Sequence, residues 1–160
     1  GVTQQDACKR LMPGGACYFQ MREDDVERVI AHPLSMIGSD GLPHDERPHP
    51  RLWGAFPKVL ACYWREKGVL QLEQAIHKMT GLSARNFHLP GRGVLKPGNW
   101  ADVVVFDPDL VSDTATFEMP QQRSCGIEQV WVNGVLSYSG AEGLRAQRGG
   151  RFLRRGVDAI

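Results

Sequence analysis

The stretch Ser35-Met36-Ile37-Gly38-Ser39-Asp40-Gly41-Leu42-Pro43, continued by His49-Pro50-Arg51-Leu52-Trp53-Gly54, decides the fold that the sequence predicts. The apolar run over 34–37 stops at Gly-Ser-Asp-Gly, which is typical of a buried strand that ends in a turn. Asp40 then lies at the carboxyl end of that strand, where α/β enzymes keep their catalytic groups. The loop beyond it is polar and rich in proline, so we expect it to carry function.

The residues around this stretch predict an α/β arrangement of helices and buried strands. The spacing of apolar residues predicts helices over 3–12, 23–32, 56–67 and 72–79, a further helical turn over 83–87, and strands over 16–21 and 34–37. A strand, a helix and a strand in close succession form a βαβ unit, so the two strands should be parallel neighbours with helices on their outer face. Gly68 and Gly81 are expected to end the third and fourth helices.

The sequence changes character at 89–93, where short strands and turns replace helices. Strands are predicted over 93–95, 101–107, 127–132 and 135–138. Asn133-Gly134 lies between the last two and favours a type I′ hairpin turn. Residues 141–160 are rich in glycine and arginine, and we expect them to form a tail that lies over another surface.

Composition excludes several classes of function. The chain has 160 residues, 42% of them hydrophobic and 23% charged, which is ordinary for a globular protein. A net charge of +1 argues against a nucleic-acid partner, and no run is long and apolar enough for a membrane span, so a cytoplasmic location is expected. The four cysteines form no C-x-x-C pair, which disfavours a zinc knuckle or redox motif and predicts reduced, mostly buried thiols.

The predicted strands do not suffice for two complete sheets. Two parallel strands and about four antiparallel ones leave unpaired sheet edges and too few layers for two cores. We therefore expect the C-terminal portion of a larger protein. Its parts would be the end of a barrel over 1–88, part of a small β domain over 89–140, and a basic tail over 141–160.

Two segments carry a resemblance to a known family. The segment from Met36 to Pro43 and the segment from His49 to Leu60 resemble the eighth-strand region of N-acyl-D-amino-acid deacylases, the D-aminoacylases of the amidohydrolase superfamily. The stretches over 78–85, 91–107 and 130–134 resemble the wider superfamily's return from its barrel to a small β domain. The resemblance implies a metal-dependent (β/α)8 barrel, of which this chain has the last two strands and their helices, followed by strands of a small β-sandwich.

The resemblance also implies roles for two residues. Asp40 occupies the position of the aspartate that takes a proton from the attacking water and returns it to the leaving nitrogen. Arg51 matches the arginine that holds the substrate's α-carboxylate, for which its planar guanidinium is well suited. The substrate would be an N-acyl-D-amino acid and the cofactor zinc. Without the resemblance, Asp40 could equally be a turn or cap residue, and Arg51 could belong to a surface ion pair.

No metal site is predicted within this chain. The family's zinc ligands lie on earlier strands, and His44, Asp45 and His49 are loop residues without the rigid support that zinc sites usually have. The isolated chain is therefore expected to be inactive, and to associate with itself or with the missing N-terminal barrel segment. Two alternatives stay open: a fragment of a hydantoinase- or dihydroorotase-like amidohydrolase, and a noncatalytic binding module.

Overall fold

The computed structural model describes residues 1–12, 19–44 and 46–154, which form a helical part followed by an antiparallel sheet. The helices are α1 (Gln4–Leu11), α2 (Glu23–Ala31), α3 (Arg51–Lys58), a π-helical segment (Val59–Glu66), α4 (Leu72–Met79) and α5 (Gly81–Asn86). Each region that the sequence predicted as helical is confirmed, although α3 begins at Arg51, five residues earlier than expected.

The helix starts follow from their first residues. Thr3 precedes α1 and its hydroxyl accepts the amide of Asp6 at 3.1 Å. Three acidic residues fill the first turn of α2, where they face the positive end of the helix dipole. Gln71 and Gln74 form a reciprocal capping box at the start of α4.

α3 and the π-helical segment together form one long helix, and Pro57 accounts for a missing hydrogen bond within it. It lies inside α3 and has no amide hydrogen to donate to the carbonyl of Trp53. The hydroxyl of Ser124 donates to that carbonyl instead, at 3.3 Å. The helix continues beyond Lys58 with π-helical hydrogen bonding as far as Glu66.

The core lies where the π-helical segment meets α4 and the first part of the sheet. Its buried members are Val59, Leu60, Tyr63, Leu70, Ala75 and Val111. Val26 and Ile30 of α2 pack against this cluster. Lys67 joins α2 to the end of the long helix through ion pairs with Glu23 and Glu27, the latter at 2.8 Å.

The sheet contains β1 (Val103–Phe106), β2 (Ile127–Val132), β3 (Val135–Ser139) and β4 (Gly143–Leu144) in the order β1-β2-β3-β4. All neighbours are antiparallel, and Val132 faces Val135 across the predicted hairpin turn. Asn133 and Gly134 have φ values of 49° and 79°, as a type I′ turn requires. The predicted hairpin and the strand around 103–106 are confirmed.

The described part of the basic tail lies over the β2–β3 turn. The side-chain Nδ2 of Asn133 donates to the carbonyl of Gly149 at 2.6 Å. The guanidinium of Arg151 stacks on Trp100, 3.6 Å from the ring centre. The tail thus contacts this chain's own sheet, whereas the sequence predicted only that it would lie over another surface, and part of the predicted tail, Gly143–Leu144, forms β4.

The predicted strand over 34–37 is wrong, and with it the parallel βαβ unit. Residues 35–42 have no regular secondary structure, and the amide of Ile37 donates at 3.3 Å to Lys78 of α4. An inner strand of a parallel sheet needs hydrogen-bonded neighbours on both sides, and the described residues offer none here. The strand predicted over 16–21 lies mostly outside the described residues, and its described part, 19–21, is not in a strand.

Two smaller predictions are also wrong. Residues 93–95 form no strand. Gly93 has a φ of 73° and packs so closely on Thr80 that an added Cβ would lie 2.8 Å from its carbonyl oxygen, and the side-chain amide of Asn99 donates to the carbonyl of Val94 at 3.0 Å. Gly81 does not end α4 but begins α5. The break falls at Thr80, whose hydroxyl donates to the carbonyl of Ile76 at 2.7 Å.

The cysteines differ in part from expectation. Among the described residues Cys8, Cys62 and Cys125 are free thiols. Cys8 and Cys125 are exposed, so the prediction of buried thiols is wrong for these two. Within the part of the chain that the structure describes, every helix is too short or too polar to cross a membrane.

Candidate active site

Asp40 lies in the loop that leads from α2 to α3. Its φ of 49° is in the left-handed region, which aspartate tolerates better than most residues. The next residue, Gly41, packs against the first turn of α3 so tightly that an added Cβ would lie 2.7 Å from the Cα of Leu52. The loop therefore holds Asp40 against the start of α3 by backbone contact.

Arg51 is the first residue of α3, and its side chain turns back towards Asp40. A guanidinium nitrogen of Arg51 lies 2.9 Å from a carboxylate oxygen of Asp40. The side chains are 43% and 81% exposed respectively. The two residues that the sequence singled out are thus brought together on an open surface.

His49 supports the start of α3. Its Nδ1 accepts the backbone amide of Arg51 at 3.1 Å, and its ring meets Phe117 edge-to-face with ring centres 5.0 Å apart. Burial lowers the pKa of His49 below its usual value of 6.5, and the positive charges of Arg51 and Lys58 lower it further, whereas Asp40 opposes them. These effects favour the neutral ring, which alone can accept the Arg51 amide.

Residues 112–124, which we call the strap, cover the outer side of this loop. Arg47 donates to the carbonyl of Glu118 at 3.1 Å, and Gln121 donates to the carbonyl of Glu46 at 3.3 Å. An added Cβ on Gly54 would lie 2.9 Å from the Cβ of Asp113. The strap therefore fixes the loop before α3 from one side while Gly41 fixes it from the other.

The remaining polar residues of the loop are not gathered into a metal site. No group of three or more histidine, cysteine, aspartate or glutamate side chains within 1–12, 19–44 and 46–154 could hold a metal ion. Asp45 lies outside the described residues. The described donors therefore do not fit zinc on their own.

Two supporting residues were missed by the sequence analysis. For His49 the sequence argued only against metal binding, although its position two residues before the arginine that begins α3 favours a hydrogen bond to that backbone. Lys78 is buried on α4 and holds the segment before Asp40. Its spacing of three residues from Ala75 on the buried face could have indicated this.

The chain belongs to the amidohydrolase family, whose sequence profile matches residues 7–138. It is 54% identical over 155 residues to a D-aminoacylase of Alcaligenes xylosoxydans xylosoxydans, covering 97% of this chain and 32% of that protein. It is 52% identical over 160 residues to an N-acyl-D-aspartate deacylase of the same organism, covering 100% of this chain and 32% of that protein. The chain thus spans about a third of the length of these curated relatives.

Solved structures give the same result. A D-aminoacylase with a binuclear metal center superposes with a TM-score of 0.89 at 53% identity, over 94% of this chain and 31% of that one. An N-acyl-D-glutamate deacylase from Bordetella bronchiseptica, complexed with zinc and a phosphonate inhibitor, superposes with a TM-score of 0.81 at 56% identity. That match covers 83% of this chain and 28% of the other.

Proposed function

We propose that this chain is the C-terminal portion of a zinc-dependent N-acyl-D-amino-acid deacylase. The observation that carries the proposal is the pairing of Asp40 with Arg51 at 2.9 Å in a chain more than half identical to such deacylases. The two side chains belong to different elements and are complementary to the reaction: one can carry a proton, and the other can bind a carboxylate.

The reaction is the hydrolysis of an amide. Arg51 binds the substrate's α-carboxylate with two parallel hydrogen bonds and so fixes the orientation of the scissile bond. Asp40 accepts a proton as water adds to the amide carbonyl, and donates it to the nitrogen as the carbon–nitrogen bond breaks. The products are a D-amino acid and the carboxylate of the acyl group.

Arg51 must leave Asp40 for this to happen, and the cost is small. Asp40 is mostly exposed, and exposed ion pairs contribute only about 0–1 kcal/mol. A substrate carboxylate that accepts two hydrogen bonds can therefore replace Asp40 as the partner of Arg51. Asp40 is then released next to the bound substrate.

Zinc belongs to this proposal through the relatives, and its ligands would come from earlier barrel strands that this chain does not contain. When bound, zinc supplies Lewis-acid polarisation of the amide and of water. Asp40 and Arg51 provide the proton carrier and the carboxylate clamp. Since the described residues do not fit a metal on their own, we expect the 160-residue chain alone to be inactive.

The same proposal assigns residues 1–88 to the end of a (β/α)8 barrel, 89–140 to part of a small β-sandwich and 141–160 to its basic tail. An open apolar cavity of about 660 Å³ between the long helix and the sheet supports a missing partner segment. Among its lining residues Phe56, Val94 and Val104 are exposed. We infer that the remainder of the longer protein covers this face.

The proposal is tested with a graft protein, in which this chain replaces the matching third of the Alcaligenes D-aminoacylase. With zinc, the graft protein should release D-amino acids from N-acetyl-D-amino acids and leave the L-enantiomers intact. Preferential hydrolysis of hydantoins or dihydroorotate would favour the alternative amidohydrolase. A folded, zinc-loaded graft protein without hydrolase activity would reject the proposal and leave the binding module.

A further inference from the structure

We infer that Lys78 of α4 is a positioning residue that holds Asp40 in place for the deacylation proposed above. Lys78 is 4% exposed, and among the described residues no other charged residue is buried. Its ammonium group donates to the carbonyl of His32 and, at 3.2 Å, to the carbonyl of Ser35. These carbonyls lie 46 and 43 residues away in sequence respectively, so the contact is tertiary.

The carbonyls that Lys78 binds explain why a cation is buried there. His32 is the C-terminal cap of α2, where unpaired carbonyls and the negative end of the helix dipole favour a positive charge. Burial lowers the pKa of Lys78. None of the ion pairs among the described residues includes Lys78, so these carbonyls serve in place of a carboxylate partner.

The backbone of Lys78 adds a third contact to the same segment. Its carbonyl accepts the amide of Ile37 at 3.3 Å and the hydroxyl of Ser83 at 3.0 Å. The segment 32–37 is therefore held at three points by one residue of α4. Since residues 35–42 form no strand in the structure, these contacts decide where the chain enters the turn that carries Asp40.

A double-mutant cycle in the zinc-loaded graft protein tests the inference, which rests on the proposed function. Lys78→Met should lower kcat by about 100-fold, the effect expected of a misplaced catalytic group. In an Asp40→Asn background the same substitution should cost less than about 3-fold, because a residue that acts through Asp40 has nothing left to position. Lys96→Met, at an exposed loop lysine, is the control and should leave kcat unchanged.

An equal cost of Lys78→Met in both backgrounds would overturn the inference and leave Lys78 a general stabilising residue. Should Lys78→Met fail to fold, Lys78→Gln, which keeps an amide donor for the carbonyls, replaces it in the same cycle.

Hydrogen exchange separates this result from a failure of the proposed function. If the graft protein with the unaltered chain is inactive, the function fails, and exchange of the Ile37 amide still tests Lys78. Faster exchange over 35–37 alone in the Lys78 variant supports a positioning role. Unchanged exchange there, or faster exchange throughout the core, contradicts it.

Discussion

Asp40 and Arg51 form an ion pair with each other in the structure, although each is proposed to act on the substrate. The two groups are 2.9 Å apart and largely exposed, so the ion pair contributes little free energy and opens readily. We propose that a substrate carboxylate that accepts two parallel hydrogen bonds from Arg51 replaces Asp40 as its partner. The ion pair is therefore compatible with both proposed roles.

Arg51→Lys tests the role of the guanidinium. Lysine keeps the charge but cannot make two parallel hydrogen bonds to a carboxylate. We expect KM of the graft protein for N-acetyl-D-amino acids to rise about 10- to 100-fold, since hydrogen bonds to charged groups contribute about 1.5–3 kcal/mol, with a smaller fall in kcat as the scissile bond loses its orientation. Arg28→Lys, in an exposed ion pair with Asp25, is the matched control. A fall in kcat at constant KM would contradict the assignment.

His49→Gln tests the support of α3. The folded-state pKa of His49 lies below 6.5, so the unfolded chain binds more protons between the two values. The neutral ring therefore stabilises the fold above about pH 6.5, and this contribution is lost as the pH falls through the folded-state pKa. The Tm of the graft protein should fall less between about pH 7 and pH 5 in His49→Gln than without the substitution. An identical fall in both proteins would reject this role.

The sequence indicated the residues that we propose to act on the substrate better than it indicated their supports. Glycines and prolines flank Asp40 and Arg51, and this local pattern is visible in the sequence. His49 contacts Phe117 and Lys78 contacts Ser35, and these contacts join segments more than 40 residues apart. Such pairs depend on the packing of whole elements, which local spacing does not encode.

The loop between α2 and α3 depends on the absence of a side chain at Gly41. A Cβ there would lie 2.5 Å from the side chain and 2.7 Å from the Cα of Leu52, so Gly41→Ala must push the loop away from α3. We expect kcat/KM of the graft protein to fall about 10- to 100-fold, because Asp40 and Arg51 would separate. Gly38→Ala is the matched control, since its Cβ would meet no atom within 4 Å. Equal effects of the two substitutions would show that this contact does not set the geometry.

The tail and the β2–β3 turn form a second close contact. A Cβ on Gly149 would lie 2.0 Å from the carbonyl oxygen of Val132, whereas Gly150 is open. Gly149→Ala should lower the Tm of the 160-residue chain by several degrees. Such overpacking costs about 1–3 kcal/mol, and each kcal/mol shifts the Tm of a chain this size by about 2–4 °C. Gly150→Ala should leave the Tm within about 1 °C. If both variants melt together, the tail is not docked on the turn.

Most of the elements that the sequence predicted correctly stabilise themselves locally, although β1 depends on its distant partner β2. The helices carry their own hydrogen bonds, α1 and α4 have side-chain caps, and the hairpin is specified by Asn133-Gly134. The strand predicted over 34–37 requires neighbouring strands, and the described residues do not provide them. Of the apolar run, Ile37 packs against the core, whereas Leu34 and Met36 are 76% and 38% exposed.

At the scale of the whole molecule, an incomplete site and an uncovered apolar face have the same explanation. β1 lies at the edge of the sheet, and Val104 and Val105, which point to opposite faces of that strand, are 52% and 40% exposed. Relatives about three times as long match this chain over nearly all of it. We propose that the remainder of a longer protein completes the site and covers the apolar face.

The most direct test of the account is kcat of the zinc-loaded graft protein for an N-acetyl-D-amino acid, with and without Asp40→Asn. The account predicts stereospecific hydrolysis by the unsubstituted graft protein and a fall in kcat of about 10²- to 10⁴-fold in Asp40→Asn, the usual contribution of a proton carrier. Full activity of a folded Asp40→Asn variant would contradict it.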